Sequence, residues 1–226
     1  MQNLAGPLLI IGASHQGEVV LDLLRSLPHP PEVLGFLDNG REGRFVGTML
    51  HGIPVLNSLS AIHLYRSKVM GAIPAVDNCC EREEIAAVLE EQGIPMFSAI
   101  HPSAQLAGDV RVALGAVVLT GALLGVGVHI GRAAIINSAA VVEHHCRVGD
   151  YAHVAPRATL GGNVRIGERA WVGIGATVLE DCAVGSDAVI GAGAVVIRDV
   201  DAGHTVAGVP AHPMERERTR PEKDVV

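Results

Sequence analysis

Aromatic residues are nearly missing from this 226-residue chain, which has one tryptophan, two tyrosines and three phenylalanines. A core of that size built almost without rings has to come from small and branched aliphatics packed in a regular way. Positive charge is also in deficit. With 17 Lys and Arg against 24 Asp and Glu the net charge is −7, and no basic stripe stands out along the sequence, so nothing supports nucleic-acid binding. No apolar run suits a membrane span or a signal-peptide core; Leu8-Leu9-Ile10-Ile11 is too short for either. The four cysteines lack a framework spacing. Cys79 and Cys80 are adjacent, and Cys146 and Cys182 fall at small-residue positions, which points to a reduced, cytoplasmic protein.

What the chain does have is a period. From Leu106 onward every sixth residue is a branched aliphatic, through Val112, Val118 and Leu124 to Ile190 and Val196. Two places earlier stands Ala, Val or Cys, and one place later glycine recurs, as at Gly125, Gly131, Gly149 and Gly161. A helix would repeat at three and four, and a simple strand would alternate only briefly. A fixed six-residue period over residues 104–198 predicts a parallel β-helix of hexapeptide repeats, three to a coil. The aliphatics should stack inward along the axis, and the glycine should supply the positive φ of a corner. Such helices are expected to be left-handed, against the usual crossover preference.

Ahead of the repeats the pattern is α/β. Residues 8–11 read as a buried strand that runs into Gly12-Ala13-Ser14-His15-Gln16-Gly17. A helix follows, with Val19, Val20, Leu23 and Leu24 as its apolar face, and a second strand over 33–37 ends at Asp38. This is the opening of a Rossmann-like unit, although Ser14 fills the second glycine position and argues against redox use of NAD. Residues 40–57 read as a loop with a short extended piece near 53–55. Further expectations are a helix over 59–66, a strand over 69–76, a helix over 81–92 and a last strand over 93–97. The chain thus divides into a Rossmann-like α/β domain (1–99), a left-handed β-helix (100–212) and a charged tail (213–226). Trp171 and Tyr151 sit beside inward residues, where packing between subunits is the simplest account.

The repeat is interrupted at Val142-Glu143-His144-His145-Cys146, where Glu143 takes the usual glycine place and two histidines occupy the corner. Eighteen residues beyond His144 is Gly162, so bare backbone should lie beneath that imidazole, open to an extended ligand. A corner histidine can serve as a general base or simply be solvated, and spacing alone leaves both readings open. Zinc is not expected, because Cys146 belongs to the inward series and successive side chains diverge.

Gly12-Ala13-Ser14, Phe36-Leu37-Asp38, Ile100-His101-Pro102-Ser103-Ala104, Asn137, Glu143-His144, Gly149-Asp150-Tyr151-Ala152-His153 and Ala207-Gly208-Val209-Pro210-Ala211 together resemble the sialic acid O-acetyltransferase-type sugar acetyltransferases. These include the bacterial N-acetyltransferases of nucleotide-linked 4-amino-4,6-dideoxy sugars. The resemblance implies a homotrimer that uses acetyl-CoA as co-substrate, with sites between neighbouring β-helices. It implies His144 as catalytic base, with direct attack by the sugar amine and no acetyl-enzyme. His153, Gly162, Gly173 and Ile174 match positions near the coenzyme, and Asn137 matches a sugar contact. Gly12, Ala13, Ser14 and Asp38 match the nucleotide end, where His15 either touches the nucleotide or caps the turn. In one place the chain departs from the family. The catalytic histidine is usually followed by Glu or Asp, and here the residue is His145, which would stabilise an imidazolium less well. An O-acetyltransferase and a non-catalytic β-helix binding protein are the alternative readings.

Overall fold

The computed structural model describes residues 6–40 and 45–214. Its front part is a five-stranded sheet of β1 (Leu8–Ile11), β2 (Val33–Asp38), β3 (Met49–Leu50), β4 (Ile53–Ser58) and β5 (Gly71–Pro74), in spatial order β3-β4-β2-β1-β5. All neighbours are parallel except β3, which pairs antiparallel with β4 inside the stretch expected to be mostly loop. Helix α1 (His15–Ser26) crosses from β1 to β2, and α2 (Cys79–Glu91) follows β5. The chain leaves β1 on one side for β2 and returns on the other for β5. The gap between the carboxyl ends of β1 and β5 is therefore a topological switch point, where open α/β sheets hold ligands.

Several expected elements shift for clear reasons. The buried stripe of α1 is Gly17, Val20, Leu21 and Leu24 at helical spacing, joined by Leu23, while Val19 turns outward at 42% exposure. Helix α2 begins at Cys79 rather than Glu81, because the Asn78 side chain accepts from the amides of Cys80 and Glu81 and caps it. Residues 59–65 form a 3-10 helix, and the strand expected over 69–76 is trimmed to β5. The last expected strand reduces to a single bridge between Met96 and Ala72.

From Ala99 the chain winds into a left-handed, three-sided prism of short parallel strands. Up to residue 196 each strand pairs with one eighteen residues away, as Leu124 does with Val142 and Val142 with Leu160. The inward aliphatics and the Ala, Val and Cys series form one continuous buried column from Ala116 to Ala211. At about 1.5–3 kcal/mol for each fully buried Val, Leu or Ile, that column is the main source of the prism's stability.

The recurring glycines do a different job from the one expected. Gly125, Gly131, Gly149, Gly161, Gly167 and Gly185 are not at positive φ. A Cβ on any of them would stand 2.4–2.8 Å from a main-chain nitrogen of the next coil, so glycine is there for close approach. The left-handed corner position comes two residues later. His145, Tyr151, Arg157, Asn163, Arg169 and Asp181 occupy it with φ near +60°.

The three faces differ sharply. The first, with strands such as Val117–Val118, Ile135–Ile136 and His153–Val154, is covered by the chain's own α/β part. The second presents uncharged Leu123, Val141, Thr159, Thr177 and Val195. The third stacks Arg111, His129, Arg147 and Arg165 in register. A basic column is thus present after all. It escapes a linear reading because its members lie eighteen residues apart.

Candidate active site

At the switch point Gly12, with φ +126°, lies so close to β5 that a Cβ would stand 2.5 Å from the Ala75 carbonyl. Gly17 lets α1 press onto the same turn, where a Cβ would meet the Gly12 oxygen at 2.1 Å. These are the first and third glycine roles of a nucleotide-binding turn. Ser14, in the second place, keeps an extended backbone and makes a long hydroxyl bond of 3.4 Å to the Ala75 carbonyl. Ala13 is buried, while Ser14 and His15 are exposed at the helix N-terminus, where amides and dipole favour an anion. Asp38 is buried, and its carboxylate accepts from the amides of Gly40 and Phe45, so it shapes the loop after β2.

His144 and His145 occupy the corner where the second face meets the third. That corner lies across the prism from the face that carries the α/β part. Both rings are exposed, and no hydrogen bond holds either one among the described residues. The His144 ring lies over Gly162, where a Cβ would stand 2.4 Å from its Cε1. The His145 ring instead leans back over Gly127, with Nδ1 2.3 Å from where a Cβ would be. The two rings meet only edge to face, with centroids 5.5 Å apart. His145 therefore does not orient its neighbour by a hydrogen bond as an acidic residue would. Gly173 closely approaches the Ile190 carbonyl of the next coil, and Ile174 beside it is 59% exposed.

His153 has the opposite environment. It is 1% exposed, packed on Trp171 with ring centroids 4.2 Å apart and roofed by the α/β part. The Ser138 amide donates to Asn137 Oδ1 at 2.7 Å, which turns the Asn137 amide group toward His153 Nε2 at 3.0 Å. Nε2 therefore accepts, and the ring proton sits on Nδ1, beside the Asp77 main chain but without a hydrogen bond of good geometry. Burial, and then the nearby Arg82 charge, push the imidazole down to about 3. His153 is neutral throughout the physiological range. Tyr151 packs into the α/β core. Tyr151 and Trp171 thus make contacts within the chain.

Sequence reasoning missed Arg82 entirely. It is fully buried in α2, and its guanidinium donates only to carbonyls and one sulfur: Ala133 (2.7 Å), Val76 (2.8 Å), Asp77 (2.9 Å), Ala152 (3.3 Å), Tyr151 and Cys79 Sγ. Nothing around it in sequence announces this, because the partners lie up to 70 residues away.

Comparison with known proteins agrees with this build. A family model described as the PglD N-terminal domain matches residues 7–89, and the bacterial transferase hexapeptide model (six repeats) matches 163–198. The fold is thus that of a hexapeptide-repeat transferase with a PglD-type front domain. A search of curated proteins finds no match. Among solved structures, perosamine N-acetyltransferase from Caulobacter crescentus, with one histidine replaced by asparagine and CoA and GDP-perosamine bound, is 32% identical. The match covers 93% of this chain and 98% of that one, with a TM-score of 0.87. The acetyltransferase domain of PglB from Neisseria gonorrhoeae FA1090, in complex with acetyl coenzyme A, is 33% identical over 92% and 98%, with a TM-score of 0.85. WeeI from Acinetobacter baumannii AYE is 25% identical over 92% and 99%, with a TM-score of 0.59. The chain belongs to the family of hexapeptide-repeat acetyltransferases of nucleotide-linked amino sugars.

Proposed function

We propose that the protein is an acetyl-CoA-dependent N-acetyltransferase acting on the C4 amine of a nucleotide-linked 4-amino-4,6-dideoxy sugar, such as GDP-perosamine or a UDP-linked counterpart. The observation that carries this reading is the bared imidazole of His144 over Gly162, on a prism whose front domain offers a phosphate-suited turn. His144 accepts the proton that the amine nitrogen loses as its lone pair adds to the thioester carbonyl. When the tetrahedral intermediate collapses and the carbon–sulfur bond breaks, His144 returns that proton to the departing thiolate. The products are an acetamido sugar and free CoA, and no acetyl-enzyme forms. The exposed Ile174 leaves room for an extended pantetheine chain. Ser14, His15 and the start of α1 face the nucleotide phosphates.

In one chain the His144 corner and the nucleotide turn are on opposite sides of the prism. That separation supports a homotrimer in which each site draws its imidazole from one chain and its sugar nucleotide from the next. The uncharged second face is suited to such packing. Residues 1–99 then serve the sugar nucleotide and 100–212 the transfer. From residue 215 the charged tail lies outside the described residues. No helix among the described residues is long and apolar enough to cross a membrane, and we place the reaction in the cytoplasm, where acetyl-CoA is available.

The test is thiol release from acetyl-CoA with a panel of GDP-, UDP- and dTDP-linked 4-amino sugars, with sialic acid as a hydroxyl acceptor. Turnover with an amino-sugar nucleotide is expected. Turnover with sialic acid alone would replace this reading with O-acetylation, and CoA binding without turnover on any acceptor would leave only a binding protein.

A further inference from the structure

Arg82 is a costly way to hold two parts of a chain together. A guanidinium with no exposed surface has to be desolvated, and no carboxylate among the described residues forms a hydrogen bond or ion pair with it. Docking alone does not require it. Apolar clusters shared by the two parts already join them, as do the ion pairs of Glu83 with Arg169 (3.1 Å) and Glu90 with Arg132 (3.2 Å).

What distinguishes Arg82 is the choice of acceptors. Nη1 binds the carbonyls of Val76 and Asp77, in the segment that leaves β5 just after Ala75, whose carbonyl abuts Gly12 and accepts from Ser14. Nη2 binds the carbonyls of Tyr151 and Ala152, the two residues immediately before His153. Nε binds the carbonyl of Ala133, at the corner that leads into the strand ending beside Asn137. One rigid fork thus ties the nucleotide end of the front domain to the two coils that carry the Asn137–His153 pair. The planar five-donor geometry matters, because an ammonium could not hold carbonyls on three sides in one plane.

We infer that Arg82 is a positioning residue for acyl transfer, fixing the 76–77 segment and His153 relative to one another so that the sugar is delivered in one pose. This rests on the proposed function for its kinetic consequence and not for its structural one. Misplacing a positioned group by about 1 Å costs on the order of 100-fold in rate.

The experiment compares wild type, Arg82→Lys and Arg82→Met for steady-state kinetics with GDP-perosamine and acetyl-CoA, and for the ¹⁵N signals of the His153 imidazole. In folded variants kcat/KM for the sugar nucleotide should fall on the order of 100-fold. The His153 nitrogens, well separated in a single tautomer, should move toward an averaged position. Folded variants with a lower melting temperature but unchanged kinetics and imidazole signals would overturn the inference. So would failure of both variants to fold, which would make Arg82 a folding residue only. If the wild type turns over no amino-sugar nucleotide, the functional reading fails, and the imidazole signals still decide the position of His153.

Discussion

Two histidines nine residues apart have been given opposite surroundings. His144 stands at an open corner with no hydrogen-bond partner among the described residues, above a glycine that leaves its ring room. His153 is sealed between the prism and the α/β part, stacked on Trp171, held in one tautomer by Asn137 and neutral because burial forbids its charge. A base has to gain and lose a proton and needs water and space around it. A group that fixes geometry gains from the reverse. The repeat puts His144 in a corner turn and His153 in a strand, and only the face that carries that strand is covered by the front domain.

The comparison can be sharpened by substitution, beginning with the largest expected effect outside His144 itself. Gly162→Ala puts a methyl where the His144 ring lies, so kcat should drop about 10- to 100-fold with the melting temperature nearly unchanged, in a thiol-release assay. Asn137→Ala leaves His153 Nε2 a buried acceptor without a partner. It should cost about 1–3 kcal/mol of stability, read from urea denaturation, and free the tautomer.

Acid should expose the second histidine. The folded pKa of His153 is about 3, well below the value of about 6.5 in an unfolded chain, so between these the unfolded state binds the extra proton. Its contribution to stability is intact above about pH 6.5 and is lost as the pH falls toward 3, by about 1.4 kcal/mol per pH unit. His153→Gln should flatten that acid limb relative to wild type, whatever its effect at pH 7. The smallest effect is expected at His145. Its ring leans on Gly127 rather than on His144, so His145→Ala should change kcat less than about threefold. A loss comparable to that of Gly162→Ala would mean that the two rings act together.

How much of this could be read from the sequence follows from which contacts are local. The prism was legible because its core repeats every sixth residue, and the interruption at 143–146 was legible because it breaks that rule. The role of the glycines was misjudged, since a positive φ and a close approach leave the same residue in the sequence. Only the coil geometry separates Gly149, which meets the next coil, from Tyr151, which takes the left-handed corner. The basic column of Arg111, Arg147 and Arg165 and the Arg82 clasp were illegible for one shared reason. The column joins residues 18 positions apart and the clasp reaches carbonyls 51 to 70 positions away, which only the winding of the chain brings together.

The most direct test of the account is His144→Ala, measured by thiol release from acetyl-CoA in the presence of GDP-perosamine, alongside its thermal melt. The expected result is a loss of at least about 100-fold in kcat with an unchanged melt, because an exposed ring without partners adds little to the fold. Turnover close to wild type would contradict the assignment of His144 as the base.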